Sequence, residues 1–228
     1  MKKPTRAISL IVVSLIFFGG GSYLFGWSGL LSVRSVSLIG APTPESENAV
    51  RNEISISVGD KLARVDPRSL KARIRTFDWI ESADISRNWI SGKVSIRLQP
   101  RTPIALYSEP GKAQVALDAS GMTFATPLEI KDQLPRVSAN SVAGGLAAIS
   151  LFTNLPEDFS KDIERMRAIR TDSFLIYSKI SDRDLRIIWG DSKDLNLKTE
   201  VISALLELPE NKAIKMIDVS APHAPVVK

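Results

Sequence analysis

Nineteen consecutive residues without a charge, Ala7 to Phe25 (AISLIVVSLIFFGGGSYLF), limit what this chain can be more than any other feature. The uncharged run continues to Val33. Wound as a helix at about 1.5 Å per residue, it spans the roughly 30 Å hydrocarbon layer of a bilayer. Lys2, Lys3 and Arg6 precede it with no acid among them, Arg34 is the first charge after it, and Tyr23 and Trp27 suit the far interface. Charge bias beside a membrane helix sets its orientation. Residues 1–6 are therefore expected to be a short cytoplasmic segment fixed by Lys2, Lys3 and Arg6, residues 7–28 a transmembrane helix, and the rest to lie outside. A cleaved signal peptide would end in small residues, whereas Ser22-Tyr23-Leu24-Phe25 holds no such site. Gly19-Gly20-Gly21 has neither the preceding strand nor the following Lys-Ser/Thr of a phosphate loop, and reads as small residues inside a membrane helix.

The exported remainder is poorly equipped for chemistry. The 228 residues include no cysteine, which removes disulfides, thiolate zinc sites and cysteine nucleophiles together. The single histidine, His223, lies near the C-terminal end, so a histidine metal site or a Ser-His-Asp triad has no material. Residues 34–228 hold 27 basic against 25 acidic side chains, and no stretch interleaves cations with stacking aromatics, so nucleic acid is not an expected partner. No cofactor, metal or small-molecule substrate is expected.

An α+β fold follows from the local patterns. Residues 33–39 alternate as a half-buried strand ended by Gly40. Thr43-Pro44-Glu45 opens a helix whose apolar stripe is Val50 and Ile54, and Asp66-Pro67 opens a second, with Leu70, Ile74 and Phe77 as one face. Ala83 and Ile85, then Val94, Ile96 and Leu98, alternate in two strands joined at Ser91-Gly92. The order β-α-α-β-β over 33–101 is a compact module, two helices on a three-stranded sheet. Pro100 and Pro103 mark its boundary. Residues 102–228 read as a mixed, β-rich domain with helices. Strands are expected at Ile104–Tyr107, Val115–Leu117 and Met122–Phe124, followed by a loop containing Pro127 and Pro135. A helix over 142–152 comes next, then three strands between 164 and 189. Asp194 is expected to cap a helix with Leu197, Val201, Leu205 and Leu208 on one side, before strands at Ile214–Val219 and Ala224–Lys228.

The ordered set Gly59-Asp60-Lys61-Leu62, Val65-Asp66, Phe77-Asp78-Trp79-Ile80-x-x-Ala83-x-Ile85-x-Arg87-x-Trp89 and Val94-x-Ile96-x-Leu98-Gln99-x-Arg101-x-Pro103-Ile104-Ala105 resembles the FtsQ/DivIB bacterial cell-division family. Leu117-Asp118-x-x-Gly121, Leu134-Pro135, Trp189-Gly190-Asp191, Lys198 and Ile217-Asp218-Val219-Ser220-x-Pro222-x-x-Pro225 extend the likeness, the last looking most like versions from high-GC Gram-positive bacteria. Ile90, where a proline is common, and Gln99, where an acid is common, depart from the pattern. The resemblance implies a POTRA domain followed by a β domain and no enzymatic activity. It implies FtsB- and FtsL-type bitopic partners connected to septal peptidoglycan synthesis, a location in the cell membrane at the septum, and recognition through the C-terminal edge of the β domain. Carried onto this sequence, that edge comprises Asp218, Val219, Ser220, Ala224, Pro225, Val226 and Val227. Its physical mode would be addition of a partner strand, limited by the missing donor of Pro225 and weakened further by a proline at Val226.

Most of these residues also have architectural readings. Trp79 and Trp89 are expected to pack in the core or against strands, Asp66 to cap a helix, and Asp118 and Gly121 to shape a turn. Arg87 and Arg101 suit either cross-strand pairing with carboxylates or a partner contact. The alternative function, a membrane-anchored exported hydrolase, has only Asp182 and Asp184 bracketing Arg183, and Ser/Lys pairs at the wrong spacing (Ser69 with Lys71, Ser178 with Lys179). A secretion component carrying the same module would show repeats or a membrane barrel, and neither is present.

Overall fold

The computed structural model describes Ser14 and residues 31–127, 134–180 and 182–228. Lys2, Lys3, Arg6 and, apart from Ser14, the apolar run lie outside the described residues. Among the described residues no helix is long and apolar enough to cross a membrane. The chain divides into two compact units, Met1–Arg101 and Thr102–Lys228.

In the first unit β1 (Ser35–Ile39), β2 (Ile80–Asn88) and β3 (Lys93–Pro100) form a sheet in the order β1-β3-β2. β1 runs parallel to β3, with Ser35 opposite Lys93, and β2 antiparallel to it. Two helices, α1 (Pro44–Ile54) and α2 (Pro67–Ile74), fill the connection between β1 and β2. Both begin where their caps dictate. The Thr43 hydroxyl accepts the Ser46 N–H at 3.1 Å while Ser46 Oγ accepts the Thr43 N–H at 3.1 Å, a reciprocal box built with serine. The Asp66 carboxylate accepts the N–H groups of Arg68 and Ser69. Val50, Ile54, Leu70 and Ile74 turn inward onto Val94, Ile96 and Leu98 of the central strand's buried face. Phe77 is not part of the α2 stripe: the helix stops at Ile74, and Phe77 sits in the following turn, its ring 6.2 Å from that of buried Trp79. Arg73 ties the two helices by donating to the Glu53 carbonyl.

In the second unit, nine strands among the described residues form one sheet: β4 (Pro103–Ser108), β5 (Val115–Asp118), β6 (Thr123–Phe124), β7 (Arg136–Ala139), β8 (Ile163–Arg170), β9 (Ser173–Ile180), β10 (Arg183–Gly190), β11 (Met216–Asp218) and β12 (Val226–Val227). Their spatial order is β12-β11-β10-β9-β8-β7-β4-β5-β6. The pairs β4–β7, β7–β8 and β10–β11 are parallel and the rest antiparallel. Strand β7 was not expected, because its four residues fall in the stretch read as a proline-containing loop. It is inserted between β4 and β8 and pairs with both.

Alternation along most strands turns one face of the sheet into the core, although β5 and β9 each bury three consecutive residues. Val137, Ala139, Met166, Ala168, Phe174, Ile176, Ile187, Trp189, Ile217 and Val219 point into a single core, and Arg165, Arg167 and Arg186 between them are exposed. Helix α3 (Val142–Asn154), capped by Ser141, covers β4, β7 and β8. A one-turn helix, α4 (Glu157–Ser160), follows it, and α5 (Leu195–Glu207) adds Ile202 to the same core. Gly145 lets α3 settle closely, since a Cβ there would stand 2.8 Å from the ring of buried Tyr107.

Ile74 is fully buried. Replacing it with alanine leaves a cavity under α2, and Ile74→Ala is expected to lower stability by about 2–5 kcal/mol. Urea unfolding checks this, with substitution of exposed Arg68 expected to change little.

Candidate partner-binding edge

β12 is the last strand of the sheet on its side and, among the described residues, has a neighbour only in β11. The sheet's parity decides what it presents. Met216 and Lys228 exchange both backbone hydrogen bonds at 3.0 Å. In an antiparallel ladder such pairs alternate with non-bonded ones. The next pair, Ile217 with Val227, is therefore non-bonded, and the pair after it, Asp218 with Val226, is bonded again. It follows that Val226 N–H and C=O turn inward to β11, whereas Val227 N–H and C=O point out of the sheet. Side chains follow the complementary rule. Val227 shares a face with Ile217 and packs against the core, and Val226 is exposed.

A proline at Val226 would thus remove an internal rung rather than a donor offered to a partner. The expectation attached to that position is corrected accordingly: the outward donor belongs to Val227.

The turn from β11 into β12 is built by side chains close to it. Asp218 Oδ1 accepts the Ser220 N–H at 2.9 Å and the Ser220 hydroxyl at 2.7 Å. Val219 is completely buried and its N–H donates to the Ile188 carbonyl at 2.9 Å. Its side chain is core, so of the seven residues assigned to the edge it offers no surface. Ser220, Ala224, Pro225 and Val226 are exposed, and the Ala224 N–H closes a turn on the Ala221 carbonyl.

Beneath this turn sits a polar group that periodicity concealed. Lys198 on α5 is 1% exposed, and its Nζ donates to the Asp191 carbonyl at 2.8 Å and to Asp191 Oδ1 at 3.0 Å. The ammonium lies 5.5 Å from the centre of the fully buried Trp189 ring. Lys198, Thr199 and Ile202 are the buried positions of α5, with Leu195, Val201, Leu205 and Leu206 partly buried against the core; of the expected stripe, Val201 and Leu205 thus pack inward, Leu197 is half-buried, and Leu208 is exposed beyond the helix end. Asp194 opens α5 from the left-handed region (φ 54°) with no side-chain cap bond, so the expected cap is absent. Between Trp189 and Asp191, Gly190 has φ +74°, and a Cβ on it would come within 2.8 Å of Ser220 Cβ. The Trp189-Gly190-Asp191 and Lys198 set thus seats the turn that delivers β12.

The other singled-out residues are architectural. Arg87 Nη1 donates to the carbonyls of Leu62 (3.2 Å) and Val65 (2.7 Å) and pairs with no carboxylate in doing so. Arg101 Nε donates to the Asp78 carbonyl at 2.9 Å. Asp118 Oδ1 accepts the N–H groups of Ser120 and Met122, with Gly121 at φ +87° completing the turn. Of its two expected positions, core or against a strand, Trp89 takes the second. It follows the end of β2, is 43% exposed, and lies under the Arg87 guanidinium at 4.9 Å. Asp182 is an exposed turn residue paired with Lys179 at 3.1 Å, and Ser178 and Lys179 face opposite sides of β9. Among the described residues no three metal-ligating side chains come together.

A β-α-α-β-β unit of this topology, followed by a mixed β-rich sheet, is the architecture of a POTRA-bearing protein. Residues 31–101 match the POTRA domain of the FtsQ type. The chain is 27% identical over 235 residues to the cell division protein FtsQ of Streptomyces venezuelae, covering 97% of this chain and 83% of that protein. It is likewise 27% identical over 240 residues to FtsQ of Streptomyces coelicolor, covering 96% and 87%. The chain is thus similar to FtsQ proteins over nearly its whole length, and in residues 31–101 to the FtsQ-type POTRA domain.

Two measurements check this geometry. In amide hydrogen exchange, Val226 and Lys228 should be protected and Val227 should exchange rapidly in the free protein. Second, Lys198 donating to the carboxylate holds Asp191 below the usual aspartate range. A lowered folded value means that the unfolded state binds more protons in acid, so this contribution is complete above about pH 3.9 and is lost as pH falls further, through the folded value. Acid unfolding of Asp191→Asn should lack that component.

Proposed function

We propose that this chain is a non-enzymatic, single-pass scaffold of the bacterial cell-division machinery. Its N-terminus is cytoplasmic, both folded units are outside the membrane at the septum, and the β12 edge takes a strand from an FtsB- or FtsL-type bitopic protein that leads to septal peptidoglycan synthesis. The similarity to two proteins named as FtsQ over nearly the whole chain supports the division role. The observation that carries the mechanism is the outward Val227 N–H and C=O on a strand whose outer side has no neighbour among the described residues.

A partner strand laid along β12 would pair with those groups, and exposed Val226 would supply an apolar contact on the solvent face. Pro225 shares the outward parity of Val227, so it contributes an acceptor and no donor. The added ladder is accordingly short, and affinity must come from side chains around it as well.

Binding of the full-length chain in nanodiscs to an FtsB-type partner tests this. Val227→Pro, which deletes the outward donor while leaving the β11 rungs, should weaken binding about tenfold, near the net worth of one hydrogen bond. Removing residues 224–228 should weaken it further, and in the wild-type complex Val227 N–H should become protected from exchange. Undiminished affinity after the truncation would place the contact elsewhere. Turnover of peptidoglycan fragments that a point mutation abolishes would overturn the scaffold reading.

A further inference from the structure

Three apolar side chains at one end of the POTRA unit have no place in the core. Ile90 is 93% exposed, Val58 72% and Trp89 43%. They occupy the tips of two tight turns. Val58 lies in the turn Ser57–Asp60, closed by the Asp60 N–H on the Ser57 carbonyl and by Ser57 N–H on the Asp60 carboxylate, with Gly59 at φ +99°. Trp89 and Ile90 lie in the β2–β3 hairpin, where Asn88 Oδ1 accepts the N–H groups of Ile90 and Ser91. Hydrogen bonds close both turns, and the three side chains stand outside the core.

Both turns flank the stretch by which the chain arrives from the apolar segment. Val33 N–H donates to the Asp60 carbonyl and its carbonyl accepts the Gly59 N–H, both at 2.8 Å. On the other side the Arg34 N–H donates to the Gly92 carbonyl, also at 2.8 Å. The stretch Ser32–Arg34 is thus held between the Val58 turn and the hairpin tip. Three residues separate Ser28, the end of the apolar segment, from Ser32, and the four Cα-to-Cα steps between them reach at most about 14 Å. Any membrane holding residues 7–28 must therefore lie within that distance of this end. Around the apolar tips stand Arg34, Lys61, Arg64 and Lys93, with Asp60 the one acid in 57–64 and 87–93.

We propose that this end of the POTRA unit rests on the anionic lipid surface, with Ile90 and Val58 entering the headgroup layer and Trp89 at the interface. The inference rests on the membrane-anchor reading of residues 7–28. An aromatic residue, aliphatic tips and surrounding cations are the combination that favours an interfacial position. Tethering makes the contact intramolecular, so two small tips suffice where a free domain would need more. The consequence is orientation: the POTRA sheet stands with the β2–β3 hairpin toward the bilayer.

Because the chain has no cysteine, single labels report this directly. Full-length Ser14→Cys, Ser82→Cys and Ile90→Cys proteins, each carrying an environment-sensitive fluorophore, are reconstituted into phosphatidylglycerol-containing vesicles. Ser82 is exposed at the opposite end of β2, about 20 Å from Asn88. The label at 90 should be blue-shifted and lose most of its emission to lipids bearing a nitroxide at the headgroup, while that at 82 keeps water-like emission. The label at 14 should be quenched by nitroxides deep in the acyl chains. Quenching at 14 with a water-like label at 90 would overturn the lipid contact and leave the anchor standing. Quenching at 82 equal to that at 90 would overturn the orientation. Absence of quenching at 14 would overturn the anchor and the proposal with it.

Discussion

Period-two alternation with one buried face is the constraint on which the second unit depends. Trp189, Ile187, Ile217 and Val219 must all point into the core, and that fixes the register of β10 against β11. Once Ile217 is inward, the Met216–Lys228 exchange and the inward packing of Val227 follow from the same parity. The backbone groups that β12 turns outward are thus set by core packing several strands away. A slip of one residue would expose Val227, bury Val226, and present a different amide at the edge.

A strand of two residues gains little from its own rungs, so it needs a well-seated turn. The chain supplies one by burying an ammonium. Lys198 reaches Asp191 over the Trp189 ring, and Gly190 lets Ser220 come down onto the β10 end. Burying a charge is costly unless it is paired and hydrogen-bonded. Here the lysine holds both a carboxylate and the carbonyl of the same residue, so Asp191 is fixed in backbone and side chain together. The loop it fixes adjoins the turn that returns β12 to the sheet.

The POTRA unit was legible because its signals are local. Thr43-Pro44 and Asp66-Pro67 start helices where they occur, and the alternation of Val94, Ile96 and Leu98 is unbroken. The second unit was legible element by element but not as a sheet. Strand β7 hid among prolines, and its two parallel pairings join residues far apart in sequence, which no local pattern reports. On α5, leucine and valine occur on both sides, and the buried position in the middle of the true inward face is a lysine. Periodicity alone therefore found Val201 and Leu205 but missed the buried Lys198, Thr199 and Ile202. Trp89 was expected in the core or against strands; it lies just past the last residue of β2, where the alternation that would bury it has ended, and packs against Arg87 of that strand.

The candidate edge was legible only through resemblance, and physics accounts for that. A strand edge is read by its N–H and C=O groups, which every residue except proline supplies. Such a surface demands little of its side chains beyond keeping the register, so it leaves no motif of spaced catalytic or ligating residues in the sequence. What the sequence can record is the negative requirement, where a donor must not be lost. In this chain prolines stand at 222 and 225, before the strand, and none at 226–228, where β12 makes its rungs. Pro225 caps the usable edge on one side, leaving Val227 as the single outward donor of a two-residue strand. An edge that short is also a poor template for indiscriminate strand pairing, so promiscuous association is limited by the same feature that limits the ladder.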